Sequence, residues 1–467
     1  MKRKNAIRLP ARAAAWYVIS SIISRGVGVL GTPLFTRLLS PTEYGLYPLY
    51  NGYLSILTVI ASLELTGSVL YRELQLKNGE KCETLCSALL PCLALLTVLS
   101  GIYLIFHDSI NNFTGLTTSV SIILIGQALI NVITALYTAG ARYEYKYKSV
   151  ALINLFAALG APTISVMLIK IVGLRAEARI IGLLIATGCT AIALSPGLLR
   201  GYKGLFNIPR AKRLVKSGLP LLPYFLSFTL IIRVNELTIG RFLGTGVLGG
   251  YSIAVSLGTS LNILSLGILS ALNPWLTRKL RSGRTDNVKD MLMLCFYAMC
   301  LAAVMLLGIM PEIIKFVIPP DFHYCLPYVY PLCLSVIPAF ISGALSSAVS
   351  FFGKGGETSL YAIAVAAIAS MLSVTTISLL GAMAGAIITL CSYIALSISN
   401  CLVYKGATDQ LPLSPIKCVC AFIATAFFCS LMYSFRAIVA SRVLLLAATL
   451  PLCFTLAKRV VKSVKEQ

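Results

Sequence analysis

Residues 291–310 read MLMLCFYAMCLAAVMLLGIM, twenty residues in a row without one charged side chain. At a rise of about 1.5 Å per residue, this run makes a helix of roughly 30 Å, the thickness of the hydrocarbon core of a bilayer. Thirteen other stretches have a similar apolar character. They are too long and too uniformly apolar for barrel strands, so we expect membrane-spanning helices. The fourteen predicted spans are 13–39, 45–70, 84–106, 117–139, 150–173, 180–199, 215–243, 247–276, 291–312, 325–352, 357–380, 382–404, 415–435 and 441–457.

The composition of the whole chain agrees with this interpretation. Of its 467 residues, 58% are hydrophobic and 12% are charged, and the mean hydropathy is +0.87. A soluble domain carries about 25% charged residues, so a water-soluble fold would lack the polar surface that it needs. The sequence therefore predicts an all-α polytopic membrane protein.

The charged residues are mostly basic, with 39 Lys and Arg against 16 Asp and Glu and a net charge of +23. In a soluble chain this excess would suggest a nucleic-acid partner, which we do not expect of a membrane protein. Most Lys and Arg fall instead in alternate loops, on the side of the N-terminus. Because cytoplasmic loops collect basic residues, we expect both termini in the cytoplasm.

The sequence contains no arrangement typical of catalysis or metal binding. Most of its 14 cysteines lie within apolar stretches, where they act as small apolar side chains. His107 and His323 are far apart in the sequence, so we expect no metal site and no cofactor. A P-loop lysine motif, a nucleophile elbow and paired acid and base carboxylates are missing. No loop between the spans is long enough for a catalytic domain, and we expect a protein that is not an enzyme.

Two segments indicate an internal repeat. Arg37–Tyr47 reads RLLSPTEYGLY and Arg241–Tyr251 reads RFLGTGVLGGY, with four identical positions at an offset of 204 residues. Each segment follows the first span of a six-span block. An even number of spans gives both blocks the same orientation, related by an axis along the membrane normal. We expect two six-helix bundles, residues 1–204 and 205–410, and then helices 13 and 14 with a basic tail, residues 411–467.

Two motifs also resemble a known family. The run Gly31–Tyr47, GTPLFTRLLSPTEYGLY, resembles the first-helix signature of bacterial polysaccharide transporters of the Wzx type, the O-antigen and capsule flippases. Ser217–Tyr224, SGLPLLPY, is similar to the start of their seventh helix. The family belongs to the superfamily that also holds the multidrug and toxin extruders.

The resemblance implies a function in polysaccharide and lipopolysaccharide biosynthesis. The implied transporter moves undecaprenyl-pyrophosphate-linked oligosaccharide from the cytoplasmic to the periplasmic leaflet of the bacterial inner membrane by alternating access. The implied partners are this lipid-linked oligosaccharide and membrane lipids, with H⁺ or Na⁺ as coupling ions and the polysaccharide polymerase machinery as a further partner.

Two arginines within spans are candidate ligands of the pyrophosphate. Arg25 lies about twelve residues into the first span, where an arginine costs on the order of 2.5–3.5 kcal/mol to insert. A guanidinium can bind a phosphate through two parallel hydrogen bonds, so we expect Arg25 to contact the pyrophosphate. Arg233 lies near the middle of the seventh span. A structural ion pair is the alternative for both, and Glu236 is close enough to pair with Arg233.

Glu64 and Glu236 are the carboxylates placed inside spans. A buried glutamate can bind and release H⁺ or Na⁺, which makes both residues candidates for ion coupling. Neutralisation of Arg25 or Arg233 is the simpler explanation. Six other polar or aromatic residues could line a sugar passage, with helix packing as the alternative for each. They are Asn51, Tyr53, Gln127, Asn131, Tyr224 and Asn262.

Two other functions compete with the flippase. A cation-coupled multidrug antiporter of the sister family shares the architecture but calls for a carboxylate-rich cavity, whereas two arginines lie within spans here. A membrane enzyme, such as a polymerase or an acyltransferase, would show a long extracytoplasmic loop or a His/Asp constellation. The sequence shows neither, and the signature run favours the polysaccharide branch.

Overall fold

The computed structural model describes residues 16, 20, 22–24, 26–70, 73–74, 81–144, 146–199, 207–281, 288–436, 438, 441–442 and 445–447. This part of the chain is almost entirely helical and contains no β-strand. Within it, the main helices are α1 (Ile22–Thr36), α2 (Pro41–Ser62), α3 (Lys81–Thr114), α4 (Thr118–Tyr143), α5 (Tyr147–Met167), α6 (Ala178–Leu199), α7 (Ile208–Gly218), α8 (Leu222–Phe242), α9 (Gly244–Gly258), α10 (Asn262–Arg281), α11 (Val288–Val317), α12 (Leu326–Phe351), α13 (Gly355–Leu380), α14 (Ala382–Thr408) and α15 (Pro415–Ser434).

In the described residues, ten helical segments are long and apolar enough to cross a membrane, judged by length and composition. Two of them join neighbouring helices, α7 with α8 and α9 with α10. The helices α1, α2 and α6 lie at three further predicted spans. The last predicted span, 441–457, lies mostly outside the described residues. The prediction of an all-α polytopic membrane fold is confirmed.

The chain divides into two compact units, Met1–Gly249 and Gly250–Gln467, with the boundary inside α9. In the first unit α2 packs closely on α8 because glycines stand at the crossing. A methyl group on Gly52 would lie 2.8 Å from a Leu237 methyl carbon. The division at residue 204, which follows the repeat rather than the packing, stays a prediction.

The second unit is built around α12, most of whose side chains are buried, Phe340 and Leu345 among them. This helix packs on α14. There, Nδ2 of Asn400 donates to the hydroxyl of Ser342 across 2.9 Å and to its carbonyl oxygen across 3.2 Å. Hydrogen bonds between helices satisfy polar groups that have no water to bind inside a bilayer.

Two bends in the first unit meet each other. The helix α2 ends where Leu63 and Glu64 adopt positive φ angles of 48° and 51°, a conformation that non-glycine residues rarely adopt. A 3₁₀ turn, Leu219–Leu221, joins α7 to α8. A methyl group on Gly218 would lie 2.8 Å from the carbonyl oxygen of Leu63, so only glycine fits between the two bends.

Candidate functional site

Arg233 and Glu236 form an ion pair in the second half of α8, within the first unit. Nη1 of Arg233 donates to Oε2 of Glu236 across 2.8 Å. Side chains three residues apart lie next to each other on a helix, so the pair forms within α8. The Glu236 side chain is 4% exposed and the Arg233 side chain 24%. The carboxylate is therefore neutralised, while part of the guanidinium stays accessible.

The accessible guanidinium of Arg233 can still bind an anion. It carries five N–H donors, and the bond to Glu236 uses one of them. Donors therefore remain for a phosphate oxygen. The pair has no net charge, however, so a second cation is needed to balance an anionic headgroup. Arg25, the candidate for that role, lies outside the described residues.

Glu64 lies at the break after α2 and not inside a regular helix. Its backbone N–H donates to the hydroxyl of Ser62 across 3.3 Å, and its side chain is half-buried. Arg233, one of the two arginines expected to neutralise it, pairs with Glu236 instead. Among the described residues, Glu64 has no ion-pair partner, which separates it chemically from Glu236.

Gln127 and Asn131 belong to a polar network that joins three helices of the first unit. Nε2 of the fully buried Gln127 donates to Oδ1 of Asn131 across 3.0 Å and to Oγ1 of Thr187, on α6, across 2.9 Å. Nδ2 of Asn131 donates to Oγ1 of Thr58, on α2, across 3.3 Å. These bonds already use several polar groups that a sugar would need. The geometry favours helix packing for Gln127, and a sugar-lining role for either residue stays a prediction.

The remaining candidates are spread over both units. Asn51 and Tyr53 lie half-buried on α2, next to Tyr50, whose buried hydroxyl has no hydrogen-bond partner in the described structure. Tyr224 packs edge to face on phenylalanines of its own helix, α8. Asn262 begins α10, in the second unit. The first unit thus holds every described candidate except Asn262.

Sequence reasoning missed Arg179, which directly precedes the sixth predicted span. Its guanidinium lies over the rings of Phe35, Tyr44 and Tyr47 at one end of the first unit. A signal was available in the sequence. An arginine in the first turn of a helix opposes the helix dipole and therefore needs a compensating contact elsewhere.

The second unit contains another arginine that sequence reasoning missed. The buried Arg442 binds both carboxylate oxygens of Glu312, near the end of α11. Its Nη1 also donates to the carbonyl oxygen of Gly308 across 3.1 Å. The contact attaches the beginning of the predicted fourteenth span to α11.

Several solved transporters have the same fold. The lipid II flippase MurJ in an inward closed conformation has a TM-score of 0.74 and 14% identity, covering 95% of this chain and 98% of MurJ. An inward-facing multidrug resistance transporter of the MATE family, in the MOP superfamily, has a TM-score of 0.62 and 12% identity over 89% and 96% of the two chains. A MOP superfamily transporter from Pyrococcus furiosus has a TM-score of 0.56 and 14% identity, with 91% and 97% covered. At such identities the likeness shows the fold alone.

A comparison with curated protein sequences finds no significant match. The profile of the family described as polysaccharide biosynthesis protein matches residues 11–279, more than half of the chain. Both motifs that carry the resemblance, Gly31–Tyr47 and Ser217–Tyr224, fall within that range. The structural relatives named above are transporters and a flippase, not catalysts. The chain belongs to the polysaccharide biosynthesis protein family.

Proposed function

We propose that the protein flips an undecaprenyl-pyrophosphate-linked oligosaccharide from the cytoplasmic to the periplasmic leaflet of the bacterial inner membrane. The oligosaccharide is a repeat unit of a surface polysaccharide such as O-antigen or capsule. The headgroup enters a polar interior and the lipid tail stays in the bilayer, while the protein alternates between inward and outward access. Polymerase machinery then uses the flipped unit.

The family match supports a role in polysaccharide biosynthesis, and the fold supports transport. The partly accessible guanidinium of Arg233 is the observation that favours an anionic substrate. A pyrophosphate cannot enter hydrocarbon unpaired, because desolvation of an isolated ion costs far more than a single contact returns. Arg233 presents unused donors near the middle of the seventh predicted span, and Arg25 would add the net positive charge that the Arg233–Glu236 pair lacks.

Glu64 is the better of the two candidates for ion coupling. Glu236 is held by Arg233, so the binding of H⁺ or Na⁺ to Glu236 would leave a guanidinium unpaired in the membrane. Glu64 has no such partner among the described residues, and it lies at a bend where the chain changes direction. Helix breaks with exposed backbone groups bind coupling ions in other secondary transporters.

The experiment measures surface polysaccharide in a flippase-deficient strain complemented with variants at equal membrane abundance. We expect Arg25→Ala to stop display and to leave lipid-linked units on the cytoplasmic side. Arg25→Lys should restore only part of the activity, because lysine supplies the charge without the paired planar donors. The double variant Arg233→Gln/Glu236→Gln leaves the net charge of α8 unchanged but removes the guanidinium of Arg233. It should reduce display about tenfold or more, since a hydrogen bond to a charged group contributes about 1.5–3 kcal/mol.

Lys354 and Glu357 provide the matched control. They form a pair with the same spacing of three residues, 3.7 Å apart, with side chains 33% and 54% exposed, and Lys354→Gln/Glu357→Gln should leave display unchanged. Full display from Arg25→Ala combined with Arg233→Gln/Glu236→Gln would remove both arginines from the mechanism. Resistance to cationic dyes without any restored polysaccharide would favour the multidrug antiporter instead.

A further inference from the structure

A cation enclosed by aromatic rings lies at the end of the first unit that carries the loop between α5 and α6. The guanidinium carbon of Arg179 lies 4.0 Å from the ring centroid of Tyr47, 4.5 Å from that of Phe35 and 4.7 Å from that of Tyr44. Its Nη1 is buried and has no hydrogen-bond partner among the described residues. The ring faces, which attract cations, are therefore the main contacts of this charge.

The position of Arg179 makes the aromatic contacts necessary. It is the second residue of α6, where the helix dipole disfavours a positive charge. Burial of Nη1 also removes hydrating water from the guanidinium. The three rings offset both effects. A lysine would do this less well, because its compact ammonium is more strongly hydrated and cannot stack as a plane.

A second contact ties the same elements together through Glu43. Its Oε1 lies 3.0 Å from Nε of Arg175, just before α6. Its other carboxylate oxygen accepts from the backbone N–H of Ser40 across 2.8 Å and from the Ser40 hydroxyl across 2.9 Å. This capping box begins α2, so one carboxylate both caps α2 and binds the segment that leads into α6.

These contacts form what we call the outer clasp, which fixes the first two turns of α2 to the start of α6. It includes most of the polar and aromatic residues in the last nine positions, 39–47, of the signature run Gly31–Tyr47. Its members are Phe35, Ser40, Glu43, Tyr44, Tyr47, Arg175 and Arg179.

The turn held by the outer clasp is also where α2 meets α9. A methyl group on Gly45 would overlap the carbonyl oxygen of Thr245, and one on Gly249 would overlap that of Pro41. Positions 41 and 245 are equivalent in the predicted repeat, as are 45 and 249, so the contact is reciprocal. Contacts of Cα with carbonyl oxygen are individually weak. The close approach of α2 and α9 therefore depends on other contacts that fix the first turn of α2.

We propose that Arg179 is a positioning residue for transport, which holds the first turns of α2 where Gly45 meets Thr245 and Gly249. Without the stacked guanidinium α2 stays helical, but its first turn leaves α9 more often. Arg179 acts through the signature tyrosines and touches no substrate. The inference rests on the proposed transport function, because the α2–α9 contact matters to activity only in a transporter.

The test uses a disulfide between Thr42→Cys and Gly246→Cys in a full-length chain whose native cysteines are replaced. A Cβ at position 246 would lie 3.5 Å from Oγ1 of Thr42, so sulfur atoms there are close enough to bond. The rate of disulfide formation with a mild oxidant then reports how often α2 contacts α9. We expect Arg179→Leu to slow this rate about tenfold and Arg179→Lys to slow it less. Lys170→Leu removes an exposed charge from the segment between α5 and α6 and should leave the rate unchanged.

The melting temperature of each variant is measured alongside the disulfide rate. If Arg179→Leu does not fold, Arg179→Lys and Tyr47→Leu decide the question, and both should slow the disulfide at an unchanged melting temperature. An unchanged rate in every folded variant overturns the proposal, and so does an equal loss with Lys170→Leu. The disulfide forms without substrate, so its result stands even where the polysaccharide assay contradicts flipping.

Discussion

Arg233 shows how far single residues could be predicted from sequence. Its spacing from Glu236 predicted an ion pair, because the geometry of a helix places side chains three apart next to each other. The contacts of Arg179 and Arg442 were not predictable in this way. Their partners stand far away in the sequence, Tyr47 for Arg179 and Glu312 for Arg442, and only the tertiary fold brings them together.

The Arg233–Glu236 pair predicts an asymmetry between single and double variants. Glu236→Gln leaves a guanidinium largely buried and unpaired, so it should lower the free energy of unfolding by about 3–5 kcal/mol. Arg233→Gln/Glu236→Gln removes both charges and should restore most of that loss. Thermal unfolding of the purified proteins in one detergent measures the difference. The exposed control Glu357→Gln should change stability by about 1 kcal/mol or less. A Glu236→Gln protein as stable as the parent would contradict a structural role for the pair.

At the scale of the helices, the spans were predictable and their bends were not. Apolar length is a local property, and each of the first thirteen predicted spans overlaps a helix in the described residues. The break at Leu63 and Glu64 carries no glycine or proline signal, since neither residue favours a positive φ. At this break the carbonyl oxygen of Leu63 lies against Gly218 of the seventh-helix motif. The bend therefore coincides with a contact between residues that are far apart in the sequence.

The signature runs have a physical meaning at this scale, because two of their glycines, Gly45 and Gly218, are points of close backbone approach. We predict that Gly45→Ala lowers the free energy of unfolding by about 1–3 kcal/mol, the usual cost of overpacking, since its methyl would overlap the Thr245 carbonyl. Gly126→Ala, on α4, is the control, because a methyl group there meets no atom within 4 Å. Helix propensity should make it neutral or slightly stabilising. Melting temperatures of the two variants decide the matter, and equal effects would refute a packing role for Gly45.

At the scale of the whole molecule, contacts between segments near the ends of spans test whether successive spans cross the membrane in alternating directions. Four contacts join segments that the fourteen-span scheme places on the same side of the membrane. In the first unit Arg175 pairs with Glu43 on the outer side, and Arg210 pairs with Glu83 on the inner side. In the second unit Glu312 pairs with Arg442 on the outer side, and Nζ of Lys354 donates to the Gly406 carbonyl on the inner side. A missing span between any two of these segments would place partners on opposite faces.

These contacts support the order of the spans but not their absolute orientation, which rests on the distribution of Lys and Arg. Because basic loops stay in the cytoplasm, a reporter fused after Arg175 should be periplasmic and one fused after Arg213 cytoplasmic. A reporter after the C-terminus should be cytoplasmic, since fourteen spans return the chain to its starting side. The measurement pairs alkaline phosphatase, active outside, with a fluorescent protein, active inside. The reverse pattern at Arg175 and Arg213 would overturn the orientation. A periplasmic C-terminus would show that residues 441–457 do not cross, and that Glu312 holds Arg442 at the end of an odd number of spans.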